Sequence, residues 1–308
     1  MIPIKEVVSA SIGSSRRDHR VELTFRGEEY IVRREGYDGD LKRFAEGLVR
    51  LNEDPNVAAI GLGGFSEFLD AAGRRYYFRS VKPYARLVTK KALVDGTGMK
   101  GAFEGDVVRY MTQEMGLDLS DKRVLMTSAV DRWGMAMAFA DVTPHVAYGD
   151  MLYALGIPKM IHSRKALTRM IRAVAPIAFQ LPFEWLYEYE TDDTFEPKRS
   201  EFTDKLYAES DIIAADYKYV IKYMPPDMTG KWVVTNTTTA ADAEFLRSRG
   251  VELLVTTTPV LEGRSFGTNV MEALMVASEG AKGPLPGQRY LEIMRGEGYD
   301  PGVQWLQK

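Results

Sequence analysis

Cysteine is absent from these 308 residues, and histidine occurs only at His19, His145 and His162. The first absence excludes disulfides, thiolate metal sites and a cysteine nucleophile, and it suits a reducing compartment. The second leaves no histidine cluster for a metal centre, so none is expected. No apolar run approaches the length of a membrane span. The opening Met1-Ile2-Pro3-Ile4-Lys5-Glu6 lacks the basic start and apolar core of a secretory signal, and a cytoplasmic protein is expected. Charge of one sign is missing too. Forty basic residues face 43 acidic ones for a net charge of -3, and the pI is about 5.8. Neither nucleic acid nor an anionic membrane is therefore expected as a partner. What is present is an ordinary globular balance, 45% hydrophobic and 27% charged, with length for two domains.

The most informative stretch runs from Ala92 to Ala140. Ala92-Leu93-Val94 reads as a strand that delivers Asp95 into a glycine turn, Gly96-Thr97-Gly98. Lys100 to Met115 follows with Phe103, Val107, Val108 and Met111 at helical spacing, ending near Gly116. The apolar Arg123–Thr127 segment then turns at Ser128 into a second helix through Met135, Ala138 and Phe139. Strand, tight turn, helix is how a nucleotide-binding βαβ unit opens. His145–Tyr148 is the next strand. It ends at Gly149-Asp150, about 20 residues on, where an acid can accept from ribose hydroxyls.

Upstream, Val7–Ile12 alternates as a strand, and Val21–Phe25 with Tyr30–Val32 reads as a hairpin. Leu41, Phe44, Ala45, Leu48 and Val49 mark one helical face. Gly13-Ser14-Ser15 beside Arg16 and Arg17 is either a pocket for an anion or hydroxyl substrate or a solvated turn. Val57–Ile60 is a buried strand running into Gly61-Leu62-Gly63-Gly64, whose glycines either admit a ligand or make a turn.

Downstream, Ser163–Phe179 has an apolar helical stripe, and the aromatic run Gln180–Tyr187 lines a pocket, a subunit contact or a core. Asp211–Asp216, Lys231–Thr235 and Glu252–Thr256 resume the strand pattern. Ser128, Asp150, Asp216, Asn236-Thr237-Thr238 and Thr257-Thr258 all fall at strand ends, where a parallel sheet binds ligands. Each is also a suitable helix cap.

In this order the chain resembles the shikimate/quinate dehydrogenase superfamily. Val94-Asp95-Gly96-Thr97-Gly98 matches its aspartate-bearing turn and Asp121–Thr127 its first nucleotide-domain strand. Asp211–Asp216, Lys231–Thr239, Ala243–Gly250 and Glu262-Gly263 to Glu272 follow in the family's sequence. Leu93-Val94 stands in place of Asn-Thr, and only Gly134 remains of the phosphate glycines. The resemblance implies an α/β protein with an N-terminal mixed α/β substrate-side domain (1–100), a Rossmann-like parallel-sheet nucleotide-binding domain (101–280), a tail (281–308), and a cleft between the two domains. It implies an NAD(P)-dependent dehydrogenase oxidising a secondary hydroxyl of a quinate- or shikimate-like hydroxy acid, with NAD slightly favoured by Asp150. Asp95 and a lysine, Lys91 first and Lys82 or Lys90 otherwise, would relay the proton. Ser128, Asp131, Arg132, Gly134, Asp150, Asp216, Asn236, Thr237 and Gly263 would hold the cofactor. Ser14, Ser15, Thr268 and Asn269 would hold a small-molecule substrate, with a homodimer as an option. The alternative is a non-redox protein on the same scaffold that binds a small phosphorylated or carboxylated metabolite as a sensor or transferase.

Overall fold

A computed structural model describes residues 4–182, 198–236, 238–257, 260–261, 264–265 and 267–307. The chain packs as two compact units. The first comprises residues 1–100, 174–193 and 267–298, and the second 101–173, 194–266 and 299–308. It is an α/β protein with a parallel-sheet, Rossmann-like second unit.

In the first unit, β1 (Lys5–Ser11), β2 (Arg20–Phe25), β3 (Glu28–Gly36), β4 (Val57–Gly63) and β7 (Ala92–Val94) form one sheet in the order β2-β3-β1-β4-β7. β3, β1, β4 and β7 are parallel, and β2 returns antiparallel on β3. The β2–β3 hairpin turns through Arg26 and Gly27, both at positive φ, the two-residue turn whose twist suits paired strands. β5 (Phe68–Ala71) and β6 (Arg74–Tyr77) make a separate two-stranded ribbon. The helix Leu41–Glu53 is capped by Asp40, whose carboxylate accepts from the Lys42 and Arg43 amides. Its inward stripe is Phe44, Leu48 and Leu51. Val49 stays exposed, because the buried face is narrower than the apolar residues suggest.

The helix Thr268–Ser278 belongs to this unit, although sequence order attaches it to the second sheet. It packs on β4, β1 and β7, with Val270 through Ala277 all buried. Glycine makes that approach possible. A Cβ on Gly61 would stand 2.6 Å from the Asn269 carbonyl oxygen. The shorter helix Gly287–Gly296 follows and buries Tyr290, Ile293 and Met294.

In the second unit, β8 (Val124–Met126), β9 (Val146–Tyr148), β10 (Ile212–Ala214), β11 (Trp232–Thr235) and β12 (Leu253–Thr256) are parallel in the order β9-β8-β10-β11-β12. The chain reverses direction across the sheet between β8 and β10, the place where open α/β sheets leave a crevice for ligands. A short hairpin, β13 (Val260–Leu261) with β14 (Arg264–Ser265), precedes the edge strand β15 (Gly302–Trp305), which runs antiparallel to β12. Leu125, Ile213, Val233 and Leu254 from successive strands share one core with Tyr207, Val220 and Leu246.

Replacing Gly61 by alanine is expected to cost about 1–3 kcal/mol in denaturant unfolding, the usual penalty of overpacking. Gly283→Ala, at a position with open space, serves as the control and should change little. Equal effects would show that the helix does not rest on β4 as described.

Candidate functional site

The first unit gathers polar groups at the carboxyl ends of its parallel strands. β7 ends at Val94, and Asp95 opens the turn into the helix Thr97–Gln113. One Asp95 oxygen accepts from the Thr97 amide at 2.9 Å and the other from the Glu67 amide at 2.5 Å. Asp95 thus caps the turn and is also held in one orientation. Burial pushes its carboxyl above the usual range, against the opposing pull of those backbone donors. Gly96 sits at φ 91, and a Cβ there would stand 2.7 Å from Thr268 Oγ1 and 2.8 Å from the Asn269 nitrogen. Both backbone angle and space demand glycine.

The Gly96 N–H donates at 2.6 Å to Glu272, which has no exposed surface. The second Glu272 oxygen accepts from the Tyr290 hydroxyl at 2.6 Å. Burial, with a smaller contribution from Asp95, pushes Glu272 up to about 7. Glu67 is likewise raised by burial and by Asp95, while Arg75 and Lys82 act the other way. Across β4 from β7, Ser9 and Ser11 share one face of β1, as residues two apart do. Ser9 Oγ accepts from Asn269 Nδ2 at 2.8 Å. Ser11 Oγ accepts from Arg34 Nη2 at 2.9 Å and from the Gly13 amide at 3.2 Å.

Of the residues expected to act together here, Asp95, Thr268 and Asn269 meet around Gly96. Lys91 does not join them. It precedes β7 while Asp95 follows it, so extended backbone separates their α-carbons by about 13 Å. Lys91 is felt instead at Glu53. Lys82 is a lysine whose charge reaches this cluster, through Glu67. Ser14 and Ser15 lie beyond Ser11 in a short 3-10 turn. The Ser14 hydroxyl accepts from the Arg16 amide, its carbonyl from Arg34, and the exposed Ser15 donates its N–H to Asp38. The sequence alone does not single out Ser9, Ser11, Glu67 or Tyr290 as site residues, and it marks Glu272 only as the end of a family-like segment. A signal existed for the serines, which are polar positions on one face of an otherwise apolar strand.

In the second unit the helix Trp133–Val142 begins after the β8 turn, and no side chain caps its N-terminus. Gly134 lets that helix approach its neighbour, since a Cβ would stand 2.5 Å from the Gly101 carbonyl oxygen. This is helix-on-helix packing against Thr97–Gln113, not the helix-on-strand approach that the third glycine of a dinucleotide turn provides. Asp150 stands just past the end of β9, as expected, but its carboxylate is used differently. It is 3% exposed, and its carboxylate accepts from the Ala129 and Val130 amides at 3.1 and 2.8 Å. It fixes the turn rather than offering oxygens outward, and burial pushes it up to about 6. Ser128 and Asp131 are partly exposed on the turn. Arg132 is buried and ion-paired to Glu104 and Asp216, so its charge is spent inside the unit. Asn236 Nδ2 donates to Asp216 at 2.8 Å, joining the ends of β10 and β11. Thr237 and Gly263 lie outside the described residues, as do Thr258, Glu262 and the aromatic run after Pro182.

Two sheets, one of them doubly wound in the Rossmann manner, with polar strand ends in each, define the class of protein. The chain belongs to the family described as "Domain of unknown function (DUF8754)", whose model matches residues 98–306. A second model, "Domain of unknown function (DUF8753)", matches residues 6–95. No curated protein matches the sequence. Among solved structures, the chain is similar to Entamoeba histolytica malic enzyme at 10% identity and TM-score 0.41, over 99% of this chain and 66% of that one. A glutamate dehydrogenase from Thermus thermophilus gives 12% and 0.39, over 96% of this chain and 69% of that one. A galactofuranose binding protein gives 11% and 0.38, over 96% of this chain and all of that one. The chain thus spans about two thirds of the malic enzyme's length. Among the described residues, no helix is long and apolar enough to cross a membrane, and no acid or histidine cluster is suited to a metal ion.

The two raised acids make stability depend on pH. Glu272 at about 7 and Asp150 at about 6 bind protons more tightly folded than unfolded, where 4.5 and 3.8 apply. Their contribution is full below about pH 4 and is lost as pH rises to 7, on the order of 3 kcal/mol each. Unfolding free energies measured from pH 4 to 8 should fall less steeply in Glu272→Gln and Asp150→Asn than in the parent chain. Parallel profiles would mean that neither acid is buried as described.

Proposed function

We propose that the chain is an NAD(P)-dependent oxidoreductase that oxidises a secondary hydroxyl of a quinate- or shikimate-like hydroxy acid. The observation that carries this reading is Asp95, an acid fixed by two backbone donors at the end of a parallel strand. A carboxylate so held and raised by burial is suited to taking a hydroxyl proton. Lys82 replaces Lys91 as the lysine of this reading, because its charge reaches the carboxyl group beside Asp95. Ser9, Ser11, Thr268 and Asn269 supply hydroxyl and amide groups to orient a polyhydroxy acid.

The residues of the second unit suit a dinucleotide at the start of the helix Trp133–Val142. Its amides carry no side-chain cap, and a helix N-terminus favours phosphate. Asp216 and Asn236, at adjacent strand ends, provide further hydrogen-bonding groups. Bound there, the cofactor would accept the hydride. The proton work falls to Asp95.

One observation favours the alternative, a non-redox protein that binds a small phosphorylated or carboxylated metabolite. Asp150 occupies two turn amides, and Val130 and Asp131 stand where phosphate-binding glycines are usual. Two fewer amides are then open to a phosphate at this turn.

Titration with NADH and NADPH, followed by nicotinamide fluorescence, separates the two. Saturable binding of one of them is expected, and binding of neither at millimolar concentration removes the oxidoreductase reading. With an oxidisable hydroxy acid in hand, Asp95→Asn should lower kcat by about 10²–10⁴-fold. The lost turn bond should cost only about 1 kcal/mol of stability.

A further inference from the structure

Glu272 is a fully buried acid for which the acid–base reading of Asp95 has no use, yet its surroundings are built with care. Both of its oxygens are engaged, one by the Gly96 N–H and one by the Tyr290 O–H, each at 2.6 Å. The Tyr290 oxygen itself accepts from the Leu285 N–H at 2.8 Å. That donor occupies the oxygen from one side while its proton points to Glu272. Gly98 leaves the room required, because a Cβ there would stand 2.5 Å from the Glu272 oxygen that Tyr290 binds. The peptide that Glu272 grips is the one joining Asp95 to Gly96. Holding it fixes the backbone on which the Asp95 carboxyl stands.

From this geometry we infer that Glu272, steadied by Tyr290, is a positioning residue for Asp95, and that the two carboxyls titrate as one coupled pair. The inference deepens the reading of Asp95 as the acid–base group and rests on it. The groups that face the pair are Glu67, which gives its backbone N–H to Asp95, and Tyr290. Arg75 and Lys82 counter the Glu67 carboxyl. The direction of the effect follows from like charge. Ionising either acid makes ionising the other harder, and both are raised by burial. At neutral pH the pair therefore carries less than its full two charges, which keeps an acceptor and a proton in the same small volume.

The test needs neither cofactor nor substrate. The full chain, labelled with ¹³C at aspartate carboxyls and assigned with Asp95→Asn, is titrated by NMR from pH 3 to 10. The Asp95 signal should move in two steps. In Glu272→Gln it should move in one, with its midpoint lower by about one pH unit or more. An unchanged Asp95 curve in that variant overturns the proposal. Tyr290→Phe keeps both carboxyls and removes the donor that favours ionised Glu272, so the upper step should shift to higher pH. If Glu272→Gln does not fold, an unmoved upper step in Tyr290→Phe overturns the proposal instead. Absence of NADH binding would leave this coupling intact, and absence of coupling would leave cofactor binding intact, so the two readings fail separately.

Discussion

The contact on which the first unit depends is a carboxylate in the core, Glu272 on the Gly96 amide. A buried acid of this kind costs stability unless its oxygens are satisfied. Here one donor comes from the strand–helix turn and one from Tyr290. Because the donors lie on different segments, satisfying the acid ties those segments together. The helix Thr268–Ser278 can bring Glu272 to that point only because Gly61 and Gly96 present bare backbone to it. Glycine on the strand and turn, and an acid on the helix, are therefore parts of one device.

The two units treat charge differently. In the first, acids are concentrated. Asp95 raises both Glu67 and Glu272, and the balancing cations Arg75 and Lys82 act at Glu67. In the second, charges are cancelled. Arg132 is enclosed by Glu104 and Asp216, and Asp150 is absorbed by backbone amides. The first arrangement leaves proton-binding capacity near neutral pH, which suits chemistry. The second ties the turn after β8 to the end of β9.

What was legible in the sequence was local. The strand before Asp95, the glycine turn and the helix after it are signalled by neighbours in the chain, and the structure has all three. The same holds for the parallel strands of the second unit and for the β2–β3 hairpin. The edge strand β15 went unread, since Gly302–Trp305 is too short to show alternation. Hidden above all were pairings across long separations. Glu272 lies in a run of apolar residues, where a lone acid reads as solvent-facing, and its partner Gly96 is 176 residues away. Ser9 finds Asn269 at a separation of 260 residues. Lys91 looked close to Asp95 because it is four residues away in sequence, whereas on a strand four residues are a long distance. Asp150 stood at the right position for a ribose, but position alone does not reveal that its carboxylate turns inward.

The Gly96 amide reports most directly on the buried contact with Glu272. In a uniformly ¹⁵N-labelled sample, that N–H should exchange with solvent far more slowly than a free turn amide. Its chemical shift should follow the titration of Glu272, with a midpoint at about 7. A Gly96 amide that exchanges freely, or whose shift is flat across neutral pH, would contradict the buried carboxylate contact around which the site is built.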